Sequence, residues 1–152
     1  MRFEQTREIL NHIRDFHSSL SHCYQQLEDD KVRERTELLL DYLVTREKDL
    51  ASAIEDFTSD ADKELLDTWF QFADETKLLT FACPVIENPA EMSTDEVIQL
   101  AEQAHNCMIS AFDEILENCE TARVRDVFQQ LHDQASRQWR HLVHETNLLS
   151  DI

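Results

Sequence analysis

The 152-residue sequence contains no glycine. Glycine is the usual source of the left-handed backbone conformations that tight β-hairpin turns need, so its absence disfavours an all-β fold. Leucine, glutamate, alanine, glutamine and arginine are abundant instead, and these residues are good helix formers. The chain is therefore expected to be mostly helical, and its length suits a single domain that buries its own core.

Charge limits the partners that such a chain can bind. The formal net charge is −18, so phosphate backbones and anionic lipid surfaces would be repelled. Neither nucleic acid nor a membrane is expected as a partner, and the sequence shows no apolar signal core and no apolar run long enough to span a bilayer. The acidity favours solubility, with a basic protein partner as the alternative.

The four cysteines bear on the cellular compartment. Cys23, Cys83, Cys107 and Cys119 form no C-x-x-C pair and show no disulfide spacing. We interpret them as reduced thiols of a cytoplasmic protein, with Cys23 and Cys107 as small core residues because both lie near apolar stripes.

Apolar residues recur at steps of three and four along four long segments, a pattern that predicts amphipathic helices. The spacing predicts helices over residues 3–27, 32–57, 94–118 and, after a break near 119–121, a last segment to about 149. Ser93 and Glu96 form a capping-box signature at the start of the third helix. The apolar side chains of the four stripes are removed from water only if the four helices pack these stripes against one another.

Residues 58–92 differ from the rest of the chain. A short amphipathic helix is predicted from four apolar residues, Leu65, Leu66, Trp69 and Phe70. Pro84 and Pro89 predict an extended segment after it. The sequence thus predicts one all-α domain over 1–152, a four-helix bundle of two helical hairpins (3–57 and 94–149) joined by a long crossover (58–92), which is the ferritin-like topology.

The two predicted hairpins align without a gap at a single offset of 88 residues. At this offset His17 falls on His105 (105 − 17 = 88), and the apolar Leu20, Tyr24 and Leu43 fall on apolar residues of the second hairpin, Met108, Phe112 and Leu131. One offset serves both helices of each hairpin and the turn between them. This pattern suggests an internal repeat.

With these residues the chain resembles the ferritin-like superfamily, especially its rubrerythrin-like branch, over most of its length outside the crossover. The resemblance implies a glutamate on the first helix of each hairpin, seven residues before an aromatic, and an E-x-x-H motif on the second helix. Together these residues would bind two iron or manganese ions. In this sequence the six corresponding positions are His17, Glu47, Leu50, His105, Ala135 and Gln138.

Only Glu47 matches the family's ligand, and Leu50 and Ala135 cannot bind metal. We therefore expect the di-metal chemistry to be lost, and an iron store is the least favoured function. One interpretation makes His17, His105, Glu47 and Gln138 a buried polar cluster, which satisfies groups that are costly to bury. The other places one iron, zinc or manganese ion on His17, Glu47 and His105, with Gln138 or water completing the shell.

The histidines near residue 145, the absent catalytic motifs and the apolar crossover also bear on function. His141, His144 and Glu145 offer helical spacing for a surface metal site, although a solvated helix face is the simpler interpretation. The sequence contains no P-loop, G-x-G-x-x-G, G-x-S-x-G or H-E-x-x-H motif. The apolar crossover residues around Trp69 and Phe81 would cover the bundle or form a homodimer contact. The predicted function is that of a non-enzymatic interaction or regulatory module, with a metal protein or oxidoreductase as the alternative.

Overall fold

A computed structural model describes residues 2–29, 32–72, 79 and 81–150, with side chains to residue 147. Most of these residues are helical, as predicted. In chain order the elements are β1 Arg2–Gln5, α1 Thr6–Glu28, α2 Glu34–Asp60, α3 Lys63–Leu66, β2 Trp69–Phe72, a 3₁₀ turn Pro89–Glu91, α4 Thr94–Glu117 and α5 Ala122–Ser150.

The starts of the four long helices repeat at the offset found in the sequence. Thr6 and Thr94 begin α1 and α4, and Glu34 and Ala122 begin α2 and α5 (94 − 6 = 88 and 122 − 34 = 88). The caps also correspond. Gln5 forms a capping box with Glu8 before α1, and the Ser93 hydroxyl accepts the backbone N–H of Glu96 before α4. The repeat is therefore visible in the backbone as well as in the apolar pattern.

The predicted apolar stripes form one core. Buried residues come from all four long helices, among them Leu20, Leu43, Met108 and Phe128. α1 packs along α2, α4 packs along α5, and α2 contacts α4. Among the described helices, none combines the length and the apolar character that crossing a membrane requires.

The two hairpins pack at different distances. The backbones of α1 and α2 approach each other more closely than those of α4 and α5. Between α1 and α2 the small Ser21 is buried, and its hydroxyl donates to the Val44 carbonyl at 3.1 Å. Between α4 and α5 the rings of His105 and Trp139 stack at 4.9 Å. The difference follows because the side chains at a contact set the spacing of two helices.

The start of the chain and the start of the crossover form a two-stranded antiparallel ribbon, which the sequence did not predict. β1 pairs with β2, with Arg2 opposite Phe72 and Gln5 opposite Trp69. The predictions that the first helix begins at residue 3 and that Trp69 and Phe70 are helical are therefore wrong. The short helix at Leu65 and Leu66 is confirmed, as α3.

The ribbon is held by alternation of its side chains. Phe70 and Phe72 point inward and are buried, whereas Trp69 is 61% exposed. Phe70 contacts the Phe128 ring edge-on at 5.7 Å. A strand places successive side chains on opposite faces, so the F-x-F spacing fits a half-buried strand better than a helix. The predicted packing of crossover residues on the molecule's own core is confirmed for these two phenylalanines.

The rest of the crossover agrees with the predicted extended segment, but the end of α2 differs from its predicted position. α2 extends to Asp60 rather than ending at 57, and Asp62 caps α3 by accepting the N–H of Leu65 at 3.0 Å. Residues 81–86 carry no helix or strand, in accord with the segment predicted from Pro84, and Pro89 begins a 3₁₀ turn. The part of this prediction that falls on Leu78 and Thr80 lies outside the described residues.

Two of the four cysteines are joined. Cys23 of α1 forms a disulfide with Cys83 of the crossover, with Cα atoms 5.6 Å apart. The prediction of four reduced thiols is wrong for this pair. Cys107 and Cys119 remain thiols, and Cys107 is half-buried and packs against the core. Because disulfides persist mainly in oxidising compartments, the cysteines no longer support the predicted cytoplasmic location.

Candidate functional site

The six positions where the ferritin-like family carries its ligands line one internal cavity. All four long helices contribute: His17 from α1, Glu47 and Leu50 from α2, His105 from α4, and Ala135 and Gln138 from α5. The cavity volume is about 40 Å³. This space holds a few water molecules or a small ion, but small organic ligands occupy pockets of about 300 Å³ or more.

His17 and Glu47 form the central polar contact of this cavity. The His17 Nδ1 lies 2.6 Å from the Glu47 Oε2, and the side chains are 13% and 7% exposed. Each residue sits on the inner face of its helix, one turn from Leu20 and Leu43, so helix geometry directs both toward the partner helix. The predicted proximity of these two residues, thirty positions apart, is confirmed.

His105 lies in the same cavity but in a different contact. Its ring stacks almost parallel on Trp139, with an interplanar angle of 11°. Burial lowers the pKa of His105 below its ordinary value, and the positive charges of Arg46 and His132 lower it further. The imidazole of His105 is therefore held in its neutral form, against an aromatic ring rather than against a carboxylate.

Tyr24 lines the same cavity as His17 and Glu47. The residue is 1% exposed, and burial raises the pKa of its phenol far above the ordinary value, with a further contribution from the Glu47 carboxylate. Arg46 opposes this shift because its positive charge favours the phenolate. Tyr24 is thus a neutral phenol near neutral pH.

The donor set of the cavity is poor for a metal. Within residues 2–29, 32–72, 79 and 81–147, no group of three or more histidine, cysteine, aspartate or glutamate side chains is arranged to hold an ion. Leu50 and Ala135 supply no donor atom, and His105 turns its ring face to Trp139. A bridged two-metal centre needs several carboxylates, and Glu47 is the only one lining the described cavity.

The chemistry open to this arrangement is narrow. A histidine paired with a carboxylate can move a proton, but a nucleophile and room for a substrate are also needed for covalent catalysis. Serine, threonine and cysteine are absent from the described lining. The cavity is built to satisfy one buried carboxylate rather than to hold a substrate.

The C-terminal histidines behave as a solvated helix face. His141 pairs with Glu145 at 3.2 Å, and their side chains are 64% and 46% exposed. His144 is exposed as well. A surface metal site would be exposed as well, so both predictions made for these residues stay open.

Sequence reasoning missed two residues beside the cavity. Trp139 stacks on His105, and Arg46 lies at the cavity between the helices. Helical spacing was the available signal, because Trp139 stands four residues after Ala135 and Arg46 is adjacent to Glu47 in sequence.

Comparisons of this chain with protein-family models, with curated proteins and with solved structures found no match. The resemblance to the ferritin-like superfamily therefore depends on the chain's own residues and stays a prediction.

Proposed function

We propose that this protein is a ferritin-like helical bundle without the family's di-metal centre, and that it acts without catalysis as an interaction module. In this view a His17–Glu47 hydrogen bond and a His105–Trp139 stack occupy the space of the lost ligands. In this proposal the protein keeps the four-helix scaffold and has lost the metal chemistry of the family.

One observation carries the proposal. The six positions picked out by the family's spacing all line a single small cavity, but only Glu47 has the family's ligand type. Unrelated amphipathic helices have no reason to bring those six positions together. The remaining residues pack or hydrogen-bond with one another, which is what a buried polar cluster requires.

The interaction part of the proposal concerns the outer face of the ribbon. Phe3 and Trp69 lie diagonally across the strand pair on the face away from the core, at 56% and 61% exposure. Large aromatic side chains are enriched at protein interfaces. We expect this face to pair two copies of the chain in a homodimer.

The dimer is tested by light scattering coupled to gel filtration. Trp69→Ser and Phe3→Ser should shift the protein toward the monomer at a given concentration. Val85→Ser is the matched control, since Val85 is a crossover residue that is 93% exposed. A wild-type monomer at high concentration, or equal effects of all three substitutions, would contradict the homodimer.

The loss of the metal centre is tested by elemental analysis of protein purified without chelator or affinity tag. We expect no bound metal, and no uptake of iron(II), zinc or manganese when they are added. His141→Ala controls for surface binding. Near-stoichiometric metal that disappears in both His17→Ala and Glu47→Ala would overturn the proposal.

The ferritin-like scaffold itself is tested by restoring the family's ligands. The variant carries His17→Glu, Leu50→His, His105→Glu, Ala135→Glu and Gln138→His, and is refolded with manganese present to offset the buried charge. Uptake of about two ions per chain is expected. A variant of unchanged helicity that takes up no metal would count against the ferritin-like assignment.

An alternative function keeps one metal ion. His17 and Glu47 are already in contact, and His105 lines the same cavity. Two histidines and one carboxylate with open positions suit iron(II) or zinc. This alternative requires the His105 ring to leave Trp139, and the elemental analysis above distinguishes it from the metal-free scaffold.

A further inference from the structure

A second, larger cavity opens between α2 and α5. It has a volume of about 380 Å³ and is lined by Tyr42, Arg46, Arg137, Gln138 and His141. Helical spacing explains the grouping, because Tyr42 and Arg46 are four residues apart on α2 and Arg137 and His141 are four apart on α5. A volume of this size lies within the range of pockets that hold small organic molecules.

The charge of this cleft is opposite to that of the molecule. The chain has 32 acidic and 14 basic residues, yet no aspartate or glutamate is among the described residues that line the cleft. Two arginines line it instead. The field of distant carboxylates is screened beyond about 10 Å at ordinary salt concentrations, so the local charges decide what binds here.

These two arginines differ in their pairing from other arginines of the described chain. Arg7 pairs with Asp67 and Arg123 pairs with Asp62. In contrast, neither Arg46 nor Arg137 has a hydrogen bond or an ion pair within the part of the chain that the structure describes. Arg46 is only partly exposed, and its positive charge lowers the pKa of His105 in the inner cavity. A half-buried guanidinium without a counter-charge is a group that gains by binding an anion.

We infer that this cleft, which we call the arginine cleft, binds a small organic oxyanion, a carboxylate or a phosphate ester. Arg46 lines the cleft from α2 and Arg137 lines it from α5, and the fork of a guanidinium group matches the geometry of either anion. Gln138 adds an amide donor, and the Tyr42 ring, 40% exposed, supplies an apolar wall for the rest of the ligand. This inference does not depend on the loss of the metal centre.

Two acidic residues of α5 that stand one turn from residues of the cleft lining are held by other groups. Glu145 is paired with His141 at 3.2 Å. Asp133, one turn before Arg137, accepts hydrogen bonds from the side chains of Gln129 and His132. The pKa of Asp133 is lowered mainly by these bonds, with only a minor contribution from Arg137. Both carboxylates are held by other groups, so the arginine cleft keeps its positive charge.

The test is a titration of the full chain followed by two-dimensional NMR that includes the arginine Nε–H signals. The probes are inorganic phosphate, phenyl phosphate and succinate, at constant chloride and pH. We expect saturable shifts of the Arg46 and Arg137 signals. Tighter binding of phenyl phosphate than of inorganic phosphate would assign a phosphate ester, and tighter binding of succinate would assign a carboxylate.

Three variants of equal charge change separate a site from general attraction. Arg46→Gln and Arg137→Gln should each weaken binding about tenfold or more, because each removes charged hydrogen bonds. Arg140→Gln, on α5 but outside the cleft lining, should leave binding unchanged. The inference is overturned if no probe gives saturable shifts, or if Arg140→Gln weakens binding as much as the other two. Circular dichroism of each variant confirms that the helices are intact.

Discussion

At the scale of single residues, Glu47 is the central charged group of the candidate site. Among the described residues it is the only charged one that is buried, at 5% exposure, and its partner His17 lies at 2.6 Å. The ferritin-like resemblance picked out both residues by their spacing, because His17 stands seven residues before Tyr24 and Glu47 stands four residues after Leu43. Those spacings are set by the rigid geometry of a helix, so they place His17 and Glu47 on the inner faces of α1 and α2.

Breaking the His17–Glu47 pair tests its role in stability. Glu47→Leu or His17→Phe alone should lower the free energy of unfolding by about 3 kcal/mol, because one polar partner is left buried. The double variant should lose much less than the sum, since no polar group is then stranded. Urea denaturation gives the free energy of unfolding of the wild type, of the two single variants and of the double variant.

The exposed pair His141–Glu145 supplies the control for this cycle. At 64% and 46% exposure its coupling should stay below about 1 kcal/mol. If the buried pair shows no more coupling than this surface pair, the cavity is not organised around Glu47.

The lowered pKa of His105 makes the free energy of unfolding depend on pH. Its folded-state pKa lies below the ordinary value of 6.5, so the folded protein binds this proton less readily than the unfolded chain does. Its contribution to stability is complete above about pH 6.5 and is lost as the pH falls through the lowered pKa. His105→Gln should therefore flatten the decline in the free energy of unfolding below pH 6.5.

Burial is the largest cause of that pKa shift, and the smaller contribution of Arg46 is tested separately by NMR titration of the imidazole. Arg46→Gln should raise the pKa of His105, because the positive charge of Arg46 disfavours the imidazolium. Arg140→Gln serves as the charge-matched control. An unchanged His105 pKa in Arg46→Gln would show that this charge does not reach the inner cavity.

At the scale of elements, the long helices and the ribbon differ in how they could be predicted. Periodicity of three and four runs through α1, α2, α4 and α5, and their starts were predicted within about three residues. The ribbon pairs Arg2–Gln5 with Trp69–Phe72, and each strand has only four residues. The alternation in a segment of four residues is too short to predict a strand by itself, so its partner decides its conformation.

The ribbon's inward face should matter far more than its outward face. Phe72→Ala should lower the free energy of unfolding by about 3–5 kcal/mol, because the ring is fully buried and lies under the Arg2 guanidinium at 4.6 Å. Trp69→Ala, on the outer face, should cost about 1 kcal/mol or less in the monomer. If thermal unfolding shows that Phe72→Ala and Trp69→Ala lower the free energy of unfolding equally, residues 69–72 are not a half-buried strand.

At the scale of the whole molecule, the crossover is tied to the first hairpin. The Cys23–Cys83 disulfide links α1 to the segment that leads into the second hairpin, across 60 residues of chain. The Thr36 hydroxyl adds a buried hydrogen bond from α2 to the Met92 carbonyl at 2.9 Å. These contacts hold the connection against the core that both hairpins share.

Thiol counting tests this link directly. Under denaturing, non-reducing conditions we expect two reactive thiols, Cys107 and Cys119, and four after reduction. Cys23→Ser with Cys83→Ser should lower the free energy of unfolding by about 3 kcal/mol, because the unfolded chain gains freedom. Cys107→Ser is the control. Four reactive thiols before reduction would contradict the disulfide.

The sequence by itself determined the helical class, the four long helices and the 88-residue repeat. Each of these depends on local periodicity, which a helix converts directly into position. The tertiary structure decided the β1–β2 pairing, the Cys23–Cys83 bond, the stacking of His105 on Trp139 and the arginine cleft. These features need segments far apart in the chain to meet, and their meeting is selected by how the whole core packs.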